Sequence, residues 1–338
     1  MILENSVFRA GDACLGKHPF FFSNFYDKIS LTMYKVLITA PYLQLVIDDY
    51  RHIFENHKLE IIMPPPKESL SEDELLVYLP TVHGIICGND KITERVITNS
   101  PNLKVIVKWG TGTDSIDKEA AARRNIPVRN TINAFTDPVA DTVLSLILCF
   151  ARGTMELNDK VKNGKWEKKL NKALHEYTLG VIGVGNVGQA VIKRAEAFGM
   201  RVLGNDIKEL PYHFMVPLED LLGESDFVSV NCDLNETSFH LINKETLSLM
   251  RPSAYLVNTA RGPIVDEAAL IEALKNKTIA GAGLDVFENE PLPKSSPLTK
   301  MSNVILSPHN ANAGQTAWRK VHENSINCLI EGLPINNE

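Results

Sequence analysis

Thr178-Leu-Gly-Val-Ile182-Gly-Val-Gly185-Asn-Val-Gly188 is the stretch that decides the fold of this chain. Thr178 to Ile182 has the composition of a short buried strand, and Gln189 to Phe198 carries a helical pattern. Between them stand Gly183, Gly185 and Gly188. A strand, a glycine turn and a helix in that order let the backbone approach a pyrophosphate. The helix N-terminus adds amide donors and the positive end of its dipole. Asp206 follows 18 residues after Gly188, at the end of the next strand, where a carboxylate accepts hydrogen bonds from ribose hydroxyls. The same carboxylate repels a 2′-phosphate. Ile207-Lys208 brings no arginine to pair with one, so NAD is expected over NADP, with Lys208 offsetting that repulsion only in part. The bland alternative is a glycine turn beside a surface aspartate.

Outward from this unit, short β-branched runs continue at Arg201–Leu203, Phe227–Val230, Ala254–Asn258, Ile279–Leu284 and Val304–Leu306. An earlier series reads Lys35–Ala40, Leu59–Met63, Val82–Cys87 and Leu103–Val107. Strands alternating with helical patterns mean βαβ units, so the chain is expected to be α/β, with two doubly wound parallel-sheet domains and a cleft between them. Asp137 to Arg152 reads as a long connecting helix, with Asp137 as cap candidate and Pro138 in the first turn. It carries more apolar residues than one face of a monomer would bury. After His309 only an amphipathic stretch, Thr316 to Ile330, remains, so the tail is expected to pack back on the first domain. The expected domains are residues 33–132 with 310–338, and an inserted domain at 133–309. Residues 1–32 are an N-terminal extension in which no chemistry is visible.

The chain has 338 residues, about two domains at roughly 150 residues each. Its 35 Lys+Arg against 41 Asp+Glu leave a net charge of −6 with no basic run, which disfavours nucleic acid and anionic membrane as partners. The five cysteines, Cys14, Cys87, Cys149, Cys232 and Cys328, are odd in number and widely spaced without a C-x-x-C. Reduced thiols in a cytoplasmic protein are expected rather than disulfides or a metal site. The longest apolar run, Val143 to Ala151, is too short to cross a bilayer. Phe20-Phe21-Phe22 lacks the basic leader of a secretory signal, and Glu4 and Asp12 argue against one.

Three polar segments sit just past strands of the inserted domain: Val257-Asn-Thr-Ala-Arg261-Gly262, Asp285-Val-Phe-Glu-Asn-Glu290-Pro291 and Ser307-Pro-His309-Asn310. All three reach the carboxyl edge that carries the glycine loop, the edge at which open α/β sheets bind ligands. There a histidine serves as acid or base near neutral pH, a carboxylate on its second nitrogen orients the ring, and an arginine grips a substrate carboxylate through two donors.

Taken together, these segments resemble the D-isomer-specific 2-hydroxyacid dehydrogenase family, in particular its phosphoglycerate-dehydrogenase-like branch. The likeness runs from about Lys35 to Gly332. It rests on Trp109-Gly-Thr-Gly-Thr-Asp-Ser-Ile-Asp117, the glycine loop, Val257-Asn-Thr-Ala-Arg-Gly-Pro-Ile-Val-Asp-Glu267, Gly283-Leu-Asp-Val-Phe-Glu-Asn-Glu-Pro291 and Ser307-Pro-His309. The resemblance implies a flavodoxin-like substrate domain plus a Rossmann NAD-binding domain, a small 2-hydroxy or 2-oxo acid as substrate, and a homodimer. It implies that Arg261 binds the 2-oxo acid, that His309 is the general acid/base and that Glu290, rather than Glu288, is its partner. Asn186 and Val187 contact the pyrophosphate, Asp206 holds the adenosine ribose, and Thr259, Ala260 and Asp285 line the nicotinamide end, Asp285 having a bland alternative as a loop cap. Trp109, Gly110, Thr111 and Gly112 form the loop whose amides take the substrate carboxylate, and Cys87-Gly88-Asn89-Asp90 is a candidate for the substrate's far end. Asn231 stands where many relatives have His, and Asp141 where many have Glu. Trp166 is expected to be a buried anchor without chemistry, and His175, His240 and His322 to have structural or solvent-exposed roles.

The expected reaction is reversible, NAD-dependent oxidation of a D-2-hydroxy acid to its 2-oxo acid, in the manner of phosphoglycerate dehydrogenase or of hydroxypyruvate and glyoxylate reductases. The rival is an NAD(H)-sensing protein of the transcriptional-corepressor type on the same scaffold. The lack of long polar regulatory tails favours the enzyme.

Overall fold

Continuous apolar strands, hidden on both faces, are what a parallel sheet under helices requires. A computed structural model of the chain describes residues 33–335 and arranges these strands in two such sheets. The expectation for residues 1–32, and residues 336–338 of the expected discontinuous domain, lie outside the described residues. In the first sheet β1 (Tyr34–Ile38), β2 (Leu59–Ile62), β3 (Gly84–Cys87), β4 (Val105–Lys108) and β5 (Val128–Arg129) run parallel in the order β2-β1-β3-β4-β5. This is the flavodoxin-like order. The two-residue β5 is too short to show a periodicity, and the sequence gives no strand signal there.

The second sheet contains β6 (Thr178–Ile182), β7 (Arg201–Asn205), β8 (Phe227–Val230), β9 (Tyr255–Asn258), β10 (Gly281–Leu284) and β11 (Val304–Leu306). All its pairs are parallel and the order is β11-β10-β9-β8-β6-β7. Beyond β7, an isolated bridge from Gly204 to Met215 stands where the Rossmann order places a further strand.

The connecting helix runs Thr136–Arg152 and ends on Gly153 in the left-handed region, at φ 60°. Asp137 is not its cap. Phe135 holds the N-cap position without a side-chain hydrogen bond, and the Asp137 carboxylate turns outward to Arg194 at 3.0 Å, beside the Asp141–Arg194 pair at 2.7 Å. The helix buries Val143, Leu144, Leu146 and Ile147 with Val191 and Ala195 of the glycine-loop helix, so its apolar surplus is covered within one chain. The uncovered apolar side chains lie further on: Met155 and Val161 on the helix Thr154–Lys162, then Trp166 and Leu170. Trp166, expected as a buried anchor, is 86% exposed.

After β11 the chain returns to the first sheet as the helix Gln315–Gly332, whose Val321, Ile326 and Leu329 are buried with Val36, Ile38, Val105 and Val107. Apolar residues three and four apart on that helix dictate the docking, as their spacing demands. The return is what turns the carboxyl ends of both sheets onto one cleft. Among the described residues no single helix is long and apolar enough to cross a membrane.

Candidate active site

A cavity of about 990 Å³ is lined by the carboxyl ends of both sheets, from Lys108 to Asp114 on one side and from the glycine loop to His309 on the other. The glycine loop leaves β6 at Gly183, whose φ is 86°, and a Cβ there would stand 2.5 Å from the Cys232 nitrogen. At Gly188 a Cβ would lie 2.1 Å from the Gly183 carbonyl oxygen, so strand and helix touch through backbone. The helix Asn186–Ala197 starts at Gly185 with no side-chain cap, and nothing lies within 4 Å of where a Gly185 Cβ would be. An uncapped helix start with open space before it is the cradle a pyrophosphate needs. Asn186 bonds the Asn133 side chain, and Val187 lines the cavity beside it.

Asp206 directly follows the next strand, β7. One of its oxygens accepts from the Val184 N–H at 2.8 Å and the other from the Lys208 N–H at 3.0 Å, which aims the carboxylate across the mouth of the glycine loop. Each oxygen keeps a lone pair for a ribose hydroxyl. At the other end Thr259 is buried and its Oγ1 has no hydrogen-bond partner among the described residues, while Ala260 is held by its N–H on Asn258 Oδ1 at 3.1 Å. A buried hydroxyl without a partner in a cleft of this shape is where a bound group is expected. Cradle, ribose acceptor and orphaned hydroxyl fit a dinucleotide laid along the edge of the second sheet.

Asp285 is completely buried and its two oxygens accept from the Asn310 and Ala311 N–H groups, both at 2.8 Å. Its backbone carbonyl accepts from the His309 N–H at 2.8 Å. It therefore caps the loop that carries His309, the blander of its two expected roles, although it also lines the cavity. His309, at φ 51°, places Nδ1 2.7 Å from Glu290 Oε2, and its Nε2 makes no hydrogen bond with a described residue. Glu290 is anchored in turn by the Phe287 N–H at 3.0 Å. Burial pushes the Glu290 carboxyl upward, but the hydrogen bond and charge of His309, the Phe287 N–H and Arg261 outweigh it and hold the group below its ordinary value. Glu288 lies elsewhere, its Oε1 2.8 Å from His240 Nε2 and accepting from the Glu267 N–H.

Arg261 spans the cleft. Its Nε donates to Asp114 Oδ1 at 3.0 Å and its Nη1 to the Ala260 carbonyl at 2.7 Å, leaving donors on both terminal nitrogens. Gly112 is the residue that admits it, since a Cβ there would lie 1.7 Å from Arg261 Nη2. Burial raises the Asp114 carboxyl, yet the Arg261 charge and the hydrogen bonds outweigh it and hold the group below its ordinary value, which favours the ion pair. The Thr111 and Gly112 N–H groups donate to no described residue, and Gly110, at φ 123°, turns the loop toward the cavity. Arginine donors and two loop amides thus converge on one spot.

Trp109 belongs to the scaffold more than to that spot. It is 5% exposed, its indole N–H donates to His322 Nδ1 at 3.0 Å, and its ring packs among Tyr42, Phe135 and Trp318. His322 is buried, which pushes it down to about 4, so it stays a neutral acceptor for that N–H. In the Cys87–Asp90 segment the Cys87 thiol is buried and pushed up to about 12. Asp90 is spent on Thr39, Leu70 and Gly88, while Gly88 and Asn89 reach the cavity. Among the cavity residues that sequence reasoning does not single out is Lys108, a charged residue ending a strand that is otherwise entirely apolar. Its signal was that single break in the apolar run.

Residues 144–311 match the model of the D-isomer specific 2-hydroxyacid dehydrogenase NAD binding domain. The chain is 40% identical over 277 residues to the glyoxylate reductase of Thermofilum pendens, covering 78% of this chain and 82% of that protein. It is 38% identical over 275 residues to glyoxylate/hydroxypyruvate reductase B of Serratia proteamaculans, 78% of this chain and 85% of that one. Among solved structures, the D-lactate dehydrogenase of Aquifex aeolicus, complexed with NAD and lactic acid, superposes with a TM-score of 0.79 at 28% identity, covering 87% and 93% of the two chains. The cleft is that of a nicotinamide-dependent dehydrogenase. The chain belongs to the D-isomer-specific 2-hydroxyacid dehydrogenase family and uses NAD.

Replacing Asp206 by Ala removes the ribose acceptor and the phosphate-repelling charge together. NADH binding, followed by fluorescence titration, is expected to weaken about 10- to 100-fold, and NADPH binding much less. An unchanged ratio of the two affinities places the ribose elsewhere.

Proposed function

We propose that this NAD-dependent D-2-hydroxyacid dehydrogenase works as a reductase of small 2-oxo acids, glyoxylate and hydroxypyruvate. The observation that carries this reading is the convergence of Arg261, the free loop amides and the His309–Glu290 pair on one cavity. The activities named for the two relatives support the substrate class. The corepressor-type alternative has no support among these relatives.

Arg261 and the Thr111 and Gly112 amides are assigned to the substrate carboxylate. The Asp114 pair keeps the guanidinium from swinging away. When bound, the dinucleotide held by the glycine loop and Asp206 would supply hydride chemistry. Glu290 holds the His309 ring by Nδ1, so Nε2 points its proton at the carbonyl oxygen and the alkoxide is neutralised as it forms. Thr259 and the glycine loop would hold the cofactor at the edge of the second sheet. Free cysteines at 87, 149, 232 and 328 and the acidic charge balance support a cytoplasmic location.

We also infer a homodimer, since Met155, Val161, Trp166 and Leu170 are large apolar side chains left exposed after the connecting helix. Sedimentation at micromolar concentration is expected to give twice 37.6 kDa, and Trp166→Glu with Leu170→Glu to return it to the single mass. A wild-type monomer defeats this inference.

With NADH in excess, glyoxylate and hydroxypyruvate are expected to be the best of a panel of 2-oxo acids. Arg261→Lys keeps the charge but loses the planar two-donor fork, so KM rises, kcat falls and kcat/KM drops about 10- to 100-fold. A near-wild-type kcat/KM in that variant removes Arg261 from the site.

The pH profile of reduction has a definite sign. Reduction consumes a proton and needs the imidazolium, so kcat/KM falls as the pH rises. Glu290, held below its ordinary range, is ionised throughout neutral pH, and its support of the imidazolium is lost only as the pH falls through that lowered value. Glu290→Gln removes the charge at every pH. The alkaline fall should then move toward acid, with reduction near neutrality suffering more than oxidation. Identical midpoints in the two proteins dissociate Glu290 from His309.

A further inference from the structure

Lys108 is a buried cation of the cavity wall that the mechanism does not use. Lys108 is the last residue of β4, one position before the loop that takes the carboxylate, and it is 4% exposed. Its Nζ donates to Asn89 Oδ1 at 2.7 Å and to the Gly88 carbonyl. An ammonium has three donors, so one N–H is left over in a dry site, and a buried donor without an acceptor is costly. Burial pushes the Lys108 amine down, and the nearby Arg261 charge adds to that, while Cys87, Asp114 and Asp90 oppose it. A lysine kept there against desolvation stands where a ligand oxygen can complete its shell.

The neighbouring groups define that oxygen. Glu68 also lines the cavity, and Tyr42 donates to its Oε2 at 3.3 Å. The Asp114 and Asp90 carboxylates, near enough to act on the Lys108 amine, and the Glu68 carboxylate on the cavity wall all disfavour a second anionic substituent, whereas a carboxylate accepts from a hydroxyl. Donor and acceptor together match a neutral group that both gives and takes a proton.

We propose that Lys108 is the specificity-determining residue that donates to a hydroxyl on C3 of the substrate, so that the site selects 3-hydroxy-2-oxo acids, of which hydroxypyruvate is the smallest. This deepens the reductase reading and rests on it. Glyoxylate, which has no C3, would be turned over without using the subsite.

The test compares wild type and Lys108→Met on hydroxypyruvate, pyruvate, glyoxylate and oxaloacetate, with NADH affinity measured alongside. Pyruvate is hydroxypyruvate without the hydroxyl. In wild type the ratio of kcat/KM for hydroxypyruvate over pyruvate is expected to be about 10- to 100-fold. In Lys108→Met that ratio is expected to collapse toward one, with glyoxylate kcat/KM changed less than about threefold and NADH affinity intact. Lys108→Arg, which keeps a donor, should restore part of the ratio. It also carries the test should the Met variant fail to fold, since a cation displaced by the longer, planar head must lower the ratio at least severalfold. An unchanged ratio in both variants overturns the proposal, as does an equal loss on all substrates, which marks Lys108 as a support of the loop alone. Wild-type preference for oxaloacetate over hydroxypyruvate overturns it too, because the subsite would then take an anion. Wild type inactive on both glyoxylate and hydroxypyruvate is instead a failure of the reductase reading itself, visible before any variant is made.

Discussion

The buried carboxylate of Asp285 is the constraint on which the active edge depends. A fully buried charge must be satisfied or the fold pays several kcal/mol for it. Here both oxygens are taken by consecutive backbone N–H groups of residues 310 and 311, and the carbonyl of the same residue takes the His309 N–H. Three hydrogen bonds from one residue at the end of β10 thus hold the chain just after β11 in a single path. That path includes the left-handed backbone at His309, a conformation a non-glycine residue keeps only when its surroundings enforce it. The ring so placed meets Glu290, which is itself tied to the Phe287 N–H only two residues beyond Asp285. Acid and partner are therefore positioned from one strand end, and their geometry does not depend on how the two sheets are set.

Substrate capture is built the other way, across the cleft. Arg261 comes from the second sheet, yet its guanidinium is oriented by Asp114 of the first and packs where Gly112 has no side chain. The closing helix makes that alignment possible. It returns from the second sheet to the first and buries Val321, Ile326 and Leu329 there, while His322 on the same helix holds the Trp109 indole at the root of the amide loop. Packing on one face of the helix thereby fixes the loop on which the carboxylate is expected to rest.

Much of this was legible in the sequence because it is local. β6, β8 and β11 fall where the apolar runs place them, and the glycine loop is set by three glycines whose missing Cβ atoms would collide with backbone or block the cradle. The sequence reading erred where partners are distant in the chain. Asp137 looks like a cap until Arg194 is beside it, and Trp166 looks like an anchor only while its surroundings are unknown. Trp109 lines the cavity with its loop, but its indole N–H is committed to a histidine 213 residues away, which the sequence does not reveal. Asp285 offered two roles to sequence reasoning, and only the observed N–H donors decide that it caps the loop.

Lys108 shows the limit of pattern reading most directly. Apolar periodicity treats the end of β4 as the place where a buried strand stops, and a lysine there reads as the first solvated residue. The structure keeps it inside, because the adjacent β3 supplies the Gly88 carbonyl and the Asn89 amide as acceptors just past the strand end. Chemistry at the hydride end needs groups that many substrates share and so carries strong motifs. Recognition of the far end needs one donor suited to one substituent, and a single residue leaves no motif. The substrate-side sheet therefore holds the information about which acid is reduced, in side chains that only their neighbours reveal.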